Sequence, residues 1–220
     1  NLSDPELEDA LVDRLSFQRF LGVSPEDPLP DHSTVWRFRE RLIKHGLLDA
    51  IFEELLKVLD KRGLILRRGT IVDASIVKAA RRPGKQSNSG EGLSIRKQAQ
   101  RDKAAGFTRK GKRSYYGYKM HVGMDAGSGL IRKMSFTSAN IHDSQELGNL
   151  LSNDEMAIFG DKGYYDSWLK RSLREQGIYC GILDRGSRGR KLSQRQKKQN
   201  KQKSRVRGSV ERVFGQFKLH

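Results

Sequence analysis

Cysteine is almost missing: Cys180 is the only one in 220 residues. A lone thiol excludes a disulfide framework and a cysteine-rich zinc site within the chain. It suits a reducing compartment. No apolar run approaches the ~18 residues of a bilayer-spanning helix. The N-terminus is polar and acidic, so it does not read as a signal peptide. The chain opens on Asn1 and stops at His220 within a helical pattern, and is read as a piece lacking residues at both ends. Acid is scarce relative to base: 26 Asp and Glu stand against 43 Lys and Arg, for a net charge of +17.

A charge of that size and a pI near 10.2 point to a polyanionic partner. Nucleic acid comes first, because Lys and Arg on phosphate supply most non-specific affinity. An anionic membrane surface comes second, since no long amphipathic basic helix stands out. No membrane partner is expected. The length fits one ordinary domain plus a small accessory one.

Residues 1–68 read as an all-helical domain. Leu7, Ala10, Leu11 and Leu15 recur at helical spacing, with Asp4 as a cap before Pro5. Pro25, Pro28 and Pro30 mark a break. A second helix starts near Ser33 and a third runs from Leu48 to Lys61, each closed by a glycine. Trp36 and Phe38 read as core. Residues 69–220 then read as α/β. Residues 70–77 form a fully buried strand, 115–124 and 130–138 two more, 157–160 a fourth and 178–183 a fifth. Asp125-Ala126-Gly127-Ser128-Gly129 reads as a hairpin turn. Helices follow Asp143, with Asp143 and Glu146 at capping-box spacing, and Ser167. Residues 81–114 and 185–206 read as basic insertion loops, before a final helix. The expected fold is a mixed five-stranded sheet flanked by helices.

Three acids sit where an acid is hard to justify structurally. Asp73 interrupts the apolar run Thr70–Val77, Asp161 ends the run Ala157–Gly160, and Glu211 lies in a very basic stretch. A buried carboxylate is costly unless it is paired, hydrogen-bonded or metal-bound. Each has a plain structural alternative: a satisfied core aspartate, an Asp-initiated turn, an ordinary i,i+4 Arg–Glu pair. On a helical wheel Val210, Val213, Phe214 and Phe217 form one face. Arg207, Glu211 and Lys218 fall together on its rim. Three carboxylates suit hard divalent cations. Two such ions activate a water or 3′-hydroxyl in phosphodiester displacement. Arg207 and Lys218 are placed to hold phosphate.

These residues sit in a set of motifs. They are Ile71-Val72-Asp73-Ala74-Ser75, Tyr116-Gly117-Tyr118-Lys119-Met120-His121, Ala139-Asn140-Ile141-His142-Asp143-Ser144, Gly160-Asp161-Lys162-Gly163-Tyr164 and Arg207-Gly208-Ser209-Val210-Glu211-Arg212-Val213-Phe214. The set resembles bacterial insertion-sequence transposases of the IS-five group, in the DDE class with an RNase H-like core. Their signature Tyr-x2-Arg-x3-Glu-x6-Lys is met at Arg207, Glu211 and Lys218, while Ser204 stands at the tyrosine position. The resemblance implies Asp73, Asp161 and Glu211 as catalytic acids on two Mg²⁺ ions, with Mn²⁺ as a substitute. It implies cut-and-paste-type transposition: cleavage of double-stranded DNA at terminal inverted repeats and strand transfer into target DNA. It also implies a DNA-binding role for residues 1–68, a homodimer or larger assembly on DNA, and a bacterial cytoplasmic location.

The remaining cations are expected on DNA. They comprise Lys162, the segment with Arg185, Arg188, Arg190, Lys191, Arg195, Lys197, Lys198, Lys201, Lys203 and Arg205, and the loop with Arg81, Arg82, Lys85, Arg96, Lys97, Arg101, Lys110, Lys112 and Arg113. A solvated charge run is the bland alternative. His142 is a possible neighbour of the metals; His121 reads as a strand-face residue. Two rival functions stand beside the transposase. One is a decayed, non-catalytic DNA-binding remnant. The other is a two-metal nuclease of the same fold, acting on RNA–DNA hybrids or junctions.

Overall fold

The computed structural model describes residues 2–24, 26–80, 102–187 and 189–218, with side chains as far as Gly215. Two compact units divide between Arg62 and Gly63. Residues 63–68, expected with the helices, fall in the second unit: Leu66 N donates to Asp125 Oδ2 at 3.3 Å.

The first unit is helical: α1 (Asp4–Asp13), α2 (Leu15–Leu21), α3 (His32–Lys44) and α4 (Leu47–Lys61). Ser3, not Asp4, caps α1, in a reciprocal capping box with Glu6. The chain breaks at Arg14, where buried Gln18 donates to the carbonyls of Leu11 and Val12 at 3.0 Å each. Those bonds satisfy acceptors that the end of α1 leaves open. Asp31 caps α3 by accepting from Thr34 N at 2.6 Å. Trp36 and Phe38 are exposed and not core.

The second unit is built on a six-stranded mixed sheet, one strand more than expected. Its strands are β1 (Thr70–Lys78), β2 (Gly106–Lys110), β3 (Arg113–Asp125), β4 (Ile131–Ser138), β5 (Ala157–Gly160) and β6 (Tyr179–Ile182). The path runs β2-β3-β1-β5-β6, with β4 also paired to β3. β3 is antiparallel to β1, whereas β5 is parallel to both β1 and β6. The extra strand, β2, lies in the segment expected to be loop. Gly111 takes φ +60°, as a two-residue hairpin turn requires, and Lys110 pairs with Arg113. The earlier part of that segment, with Arg81, Arg82, Lys85, Arg96, Lys97 and Arg101, lies outside the described residues.

Helices complete the unit: α5 (Ser167–Glu175), α6 (Gln194–Arg207) and α7 (Ser209–Lys218), with 3-10 helices at Asp143–Leu150 and Lys162–Tyr164. Two corrections arise here. His142, not Asp143, caps the first 3-10 helix, accepting from Ser144 N at 3.3 Å. Most of the second expected loop is helix α6, opened by a Ser193–Gln196 capping box and holding no proline, glycine or acid.

Apolar clusters lie on both sheet faces. Ile71, Met120, Val122, Met124 and Phe159 pack with Val210 and Phe214 of α7. Val72, Ile158 and Ile182 pack with Leu147, Leu150, Tyr164 and Leu173. Each fully buried aliphatic side chain contributes roughly 1.5–3 kcal/mol. β1 is buried only through Val72; Asp73 onward is half-buried or exposed, apart from Ser75. The cause is pairing, since β5 accompanies β1 only as far as Val72.

Candidate active site

Val72 and Gly160 form the last rung of the parallel ladder between β1 and β5. The next residue on each strand is an aspartate. A Cβ at Gly160 would lie 3.0 Å from Val72 Cγ2, so glycine allows the two strand ends to close together. Asp73 stays paired with Val122 of β3 on one side and is open on the other, where β5 has ended. Asp161 caps the following 3-10 turn, accepting from Lys162 N at 2.7 Å. Both acids thus stand just past the carboxyl end of one parallel ladder, Asp73 within β1 and Asp161 after β5, the edge where α/β sheets gather their sites.

Arg207 joins the two. Its Nη2 donates to Asp73 Oδ2 at 2.9 Å, and its Nη1 lies 3.9 Å from Asp161 Oδ1. Burial pushes the Asp73 carboxyl above the usual carboxylate range; Arg207 draws it back only in part, and Asp161 adds to the rise. Burial works against the Arg207 charge, yet Asp73, Asp161 and Glu211 together raise its pKa. Glu211 follows Val210, which anchors α7 in the core, and is itself exposed. The three acids surround Arg207 electrostatically. They do not converge on one point: among the described residues, no group of three or more His, Cys, Asp or Glu is arranged to hold a metal. The donor chemistry of Asp73 and Asp161 still fits a hard cation, and the under-compensated Asp73 is where added positive charge would be favourable.

The expected DNA-facing cations fall into three groups. Lys110, Lys112 and Arg113 are exposed at the β2–β3 hairpin tip. Lys162 and Arg185 line an open groove of about 640 Å³ beside Asp161, with Leu183, Asp184, Leu192 and Asn200. Arg190, Lys191, Lys197 and Lys198 are exposed on or just before α6. Lys203 is a correction: it is 7% exposed and donates to the Ile182 carbonyl at 2.8 Å, so it serves the core rather than DNA. Arg188 and the side chain of Lys218 lie outside the described residues. His142 is exposed, and its Nδ1 faces Ser144, 2.8 Å from Oγ and accepting from the backbone N at 3.3 Å. His121 is a buried strand-face residue, as expected, with Nε2 2.8 Å from Thr137 Oγ1.

Two polar clusters support the site and were not anticipated. Asp184, with a side chain 2% exposed, takes a 2.6 Å bond from Lys170 and lies 3.7 Å from Lys203 Nζ. Asn200 bonds both backbone groups of Asp184, tying α6 to the end of β6. In the second cluster Lys119 donates to Asp143 at 2.8 Å and to the Ile141 carbonyl at 2.6 Å. Asp143 Oδ2 is 3.7 Å from where a Cβ on Gly163 would stand, so this pair abuts the turn after Asp161. Asp143 followed by Glu146 resembled a cap and hid that role; Asn200 and Lys203, spaced to share a helix face, were the readable hint for Asp184.

Comparison with known proteins bears on this geometry. Residues 65–220 match the family described as "Transposase DDE domain", and residues 1–41 match one described as "Transposase domain (DUF772)". No solved structure matches the chain. Among the described residues no helix is long and apolar enough to cross a membrane. The first match takes in the whole mixed sheet, both aspartates and the helices that carry Arg207 and Glu211, and the chain therefore belongs to the DDE transposases, DNA-cleaving and strand-transferring enzymes with an RNase H-like core.

Proposed function

We propose that the chain cleaves double-stranded DNA at terminal inverted repeats and joins the freed end to target DNA, as a cut-and-paste transposase of the IS-five group. The observation that carries this reading is the Asp73–Asp161 pair at the end of one parallel ladder, bridged by Arg207. The spacing of Arg207, Glu211 and Lys218 supports the narrower group assignment.

Asp73 and Asp161 would hold the divalent cations, two Mg²⁺ in the full site, with Glu211 as the third carboxylate. Bound metal would supply activation of the attacking water or 3′-hydroxyl and charge stabilisation at the leaving oxygen. The chain does the rest. The rung Val72–Gly160 fixes the spacing of the aspartates through backbone hydrogen bonds. Core packing of Val210 and Phe214 fixes the helix that presents Glu211. Arg207 offers a planar fork to phosphate oxygens, and Lys162 and Arg185 add charge along the groove beside Asp161. The exposed cations of α6 and of the β2–β3 hairpin hold the duplex backbone. The first unit, exposed Trp36 included, would bind DNA as well.

The test is Mg²⁺-dependent nicking of DNA carrying the inverted repeats that flank the gene. Asp73→Asn, Asp161→Asn and Glu211→Gln are each expected to abolish nicking while DNA retention persists. Nicking that survives all three substitutions removes the assignment. Nicking of RNA–DNA hybrids or junctions in preference to repeat ends would make the chain a nuclease.

A further inference from the structure

Arg207 reaches toward both carboxylates that would hold a cation, Asp73 and Asp161. Its side chain is 22% exposed, against 14% for Asp73. Of its five donors, one is well bonded to Asp73, and another only approaches Asp161, at 3.9 Å. Its Nε is buried and has no hydrogen-bond partner among the described residues. A guanidinium is always charged and strongly directional. One so incompletely used, yet held among three acids, is built to exchange partners.

We propose that Arg207 is the resident counter-ion of the Asp73–Asp161 pair, and that a divalent cation competes with it for those carboxylates. The proposal rests on the metal-binding reading above. In the metal-free protein the guanidinium neutralises two aspartates that would otherwise repel each other at the strand ends. When metal takes the carboxylate oxygens, the same guanidinium is released beside the site and becomes available to a DNA phosphate. Arg207 is thus a positioning residue for the acids in one state and a phosphate ligand in the other. Linkage makes the effect reciprocal: phosphate that captures Arg207 removes the competitor and tightens metal binding.

The experiment measures Mn²⁺ affinity of the purified protein without DNA, by electron paramagnetic resonance. The parent is compared with Arg207→Gln and with Lys162→Gln, which removes a charge next to Asp161 but no bond to the pair. Arg207→Gln is expected to bind Mn²⁺ about tenfold tighter, and Lys162→Gln about twofold at most. Equal affinity of parent and Arg207→Gln overturns the competition, as does equal tightening by both variants. A second measurement guards against misfolding. In urea unfolding without metal, Arg207→Gln is expected to destabilise, and Asp73→Asn added to it to restore most of the loss. Additive effects overturn the counter-ion role alone. No Mn²⁺ binding by any of the proteins removes the metal-binding reading and the competition with it.

Discussion

Asp73 and Asp161 each follow the last rung of one parallel ladder, Val72 against Gly160. Their proximity is therefore set by main-chain hydrogen bonds and not by side-chain packing. Substituting either acid leaves the ladder intact, so activity and fold can be separated at this pair. That separation makes the predictions below readable.

Asp73→Asn is expected to be at least as stable as the parent at neutral pH. Burial raises the Asp73 pKa in the folded chain above the ordinary 3.8, despite Arg207. A raised folded pKa means the proton is held more tightly folded than unfolded. The stabilisation is complete below the unfolded value and is lost as pH rises through the folded one. Asparagine avoids that loss. Urea midpoints at about pH 7 and about pH 3 check this, with the variant's relative gain present only at the higher pH. A larger deficit at the higher pH would contradict it.

The candidate aspartates stood out because an acid inside or at the end of an apolar run has few structural excuses. Asp73 interrupts one run and Asp161 ends another, and Val210 with Phe214 marked the docked face of α7. Three things were not legible, for physical reasons. β2 carries one large apolar side chain, Phe107, and is held by backbone pairing, which side-chain pattern does not encode. α6 docks through Asn200, Lys203 and Arg207, a polar stripe invisible to a search for apolar periodicity, although its Ser193–Gln196 capping box was readable. The bond from Arg207 to Asp73 spans 134 residues, and no local spacing could show it.

Asp184→Ala should be strongly destabilising. The Asp184 side chain is 2% exposed and faces Lys170 at 2.6 Å and Lys203 at 3.7 Å. Removing it leaves Lys203, 7% exposed, with the Ile182 carbonyl as the one partner of its charge among the described residues. Breaking a buried pair from one side costs about 3–5 kcal/mol. Since α6 also carries Arg207, Mn²⁺ affinity should change together with stability. Urea unfolding checks the first effect; a cost no larger than that of an exposed pair such as Lys57–Glu54 would show that Asp184 does not anchor the helix.

Gly123→Ala tests how the 3-10 helix Asp143–Leu150 meets the sheet. Gly123 lies on β3 opposite Val72, and a Cβ there would collide with the Leu150 carbonyl oxygen. That neighbour is backbone and cannot swing away. Overpacking of this kind costs about 1–3 kcal/mol. The same change at Gly148, which has open space around it, is expected to be mild. Thermal unfolding of the two variants side by side gives the comparison, and equal midpoints would place the helix end further from the sheet than described.

Lys197 and Lys198 are expected to carry DNA affinity without carrying sequence preference. α6 holds no acid, and both lysines are exposed on it. A lysine on phosphate releases condensed counterions, so log affinity falls with log salt by about 0.9 for each contact. The double variant Lys197→Gln, Lys198→Gln should flatten that slope by about 2 on any duplex, repeat or random. Lys203→Gln should leave it nearly unchanged, because that ammonium is committed to the Ile182 carbonyl. Fluorescence anisotropy over a salt series distinguishes them: an unchanged slope in the double variant would take α6 off the DNA path and leave the β2–β3 hairpin and the groove beside Asp161 to hold the duplex.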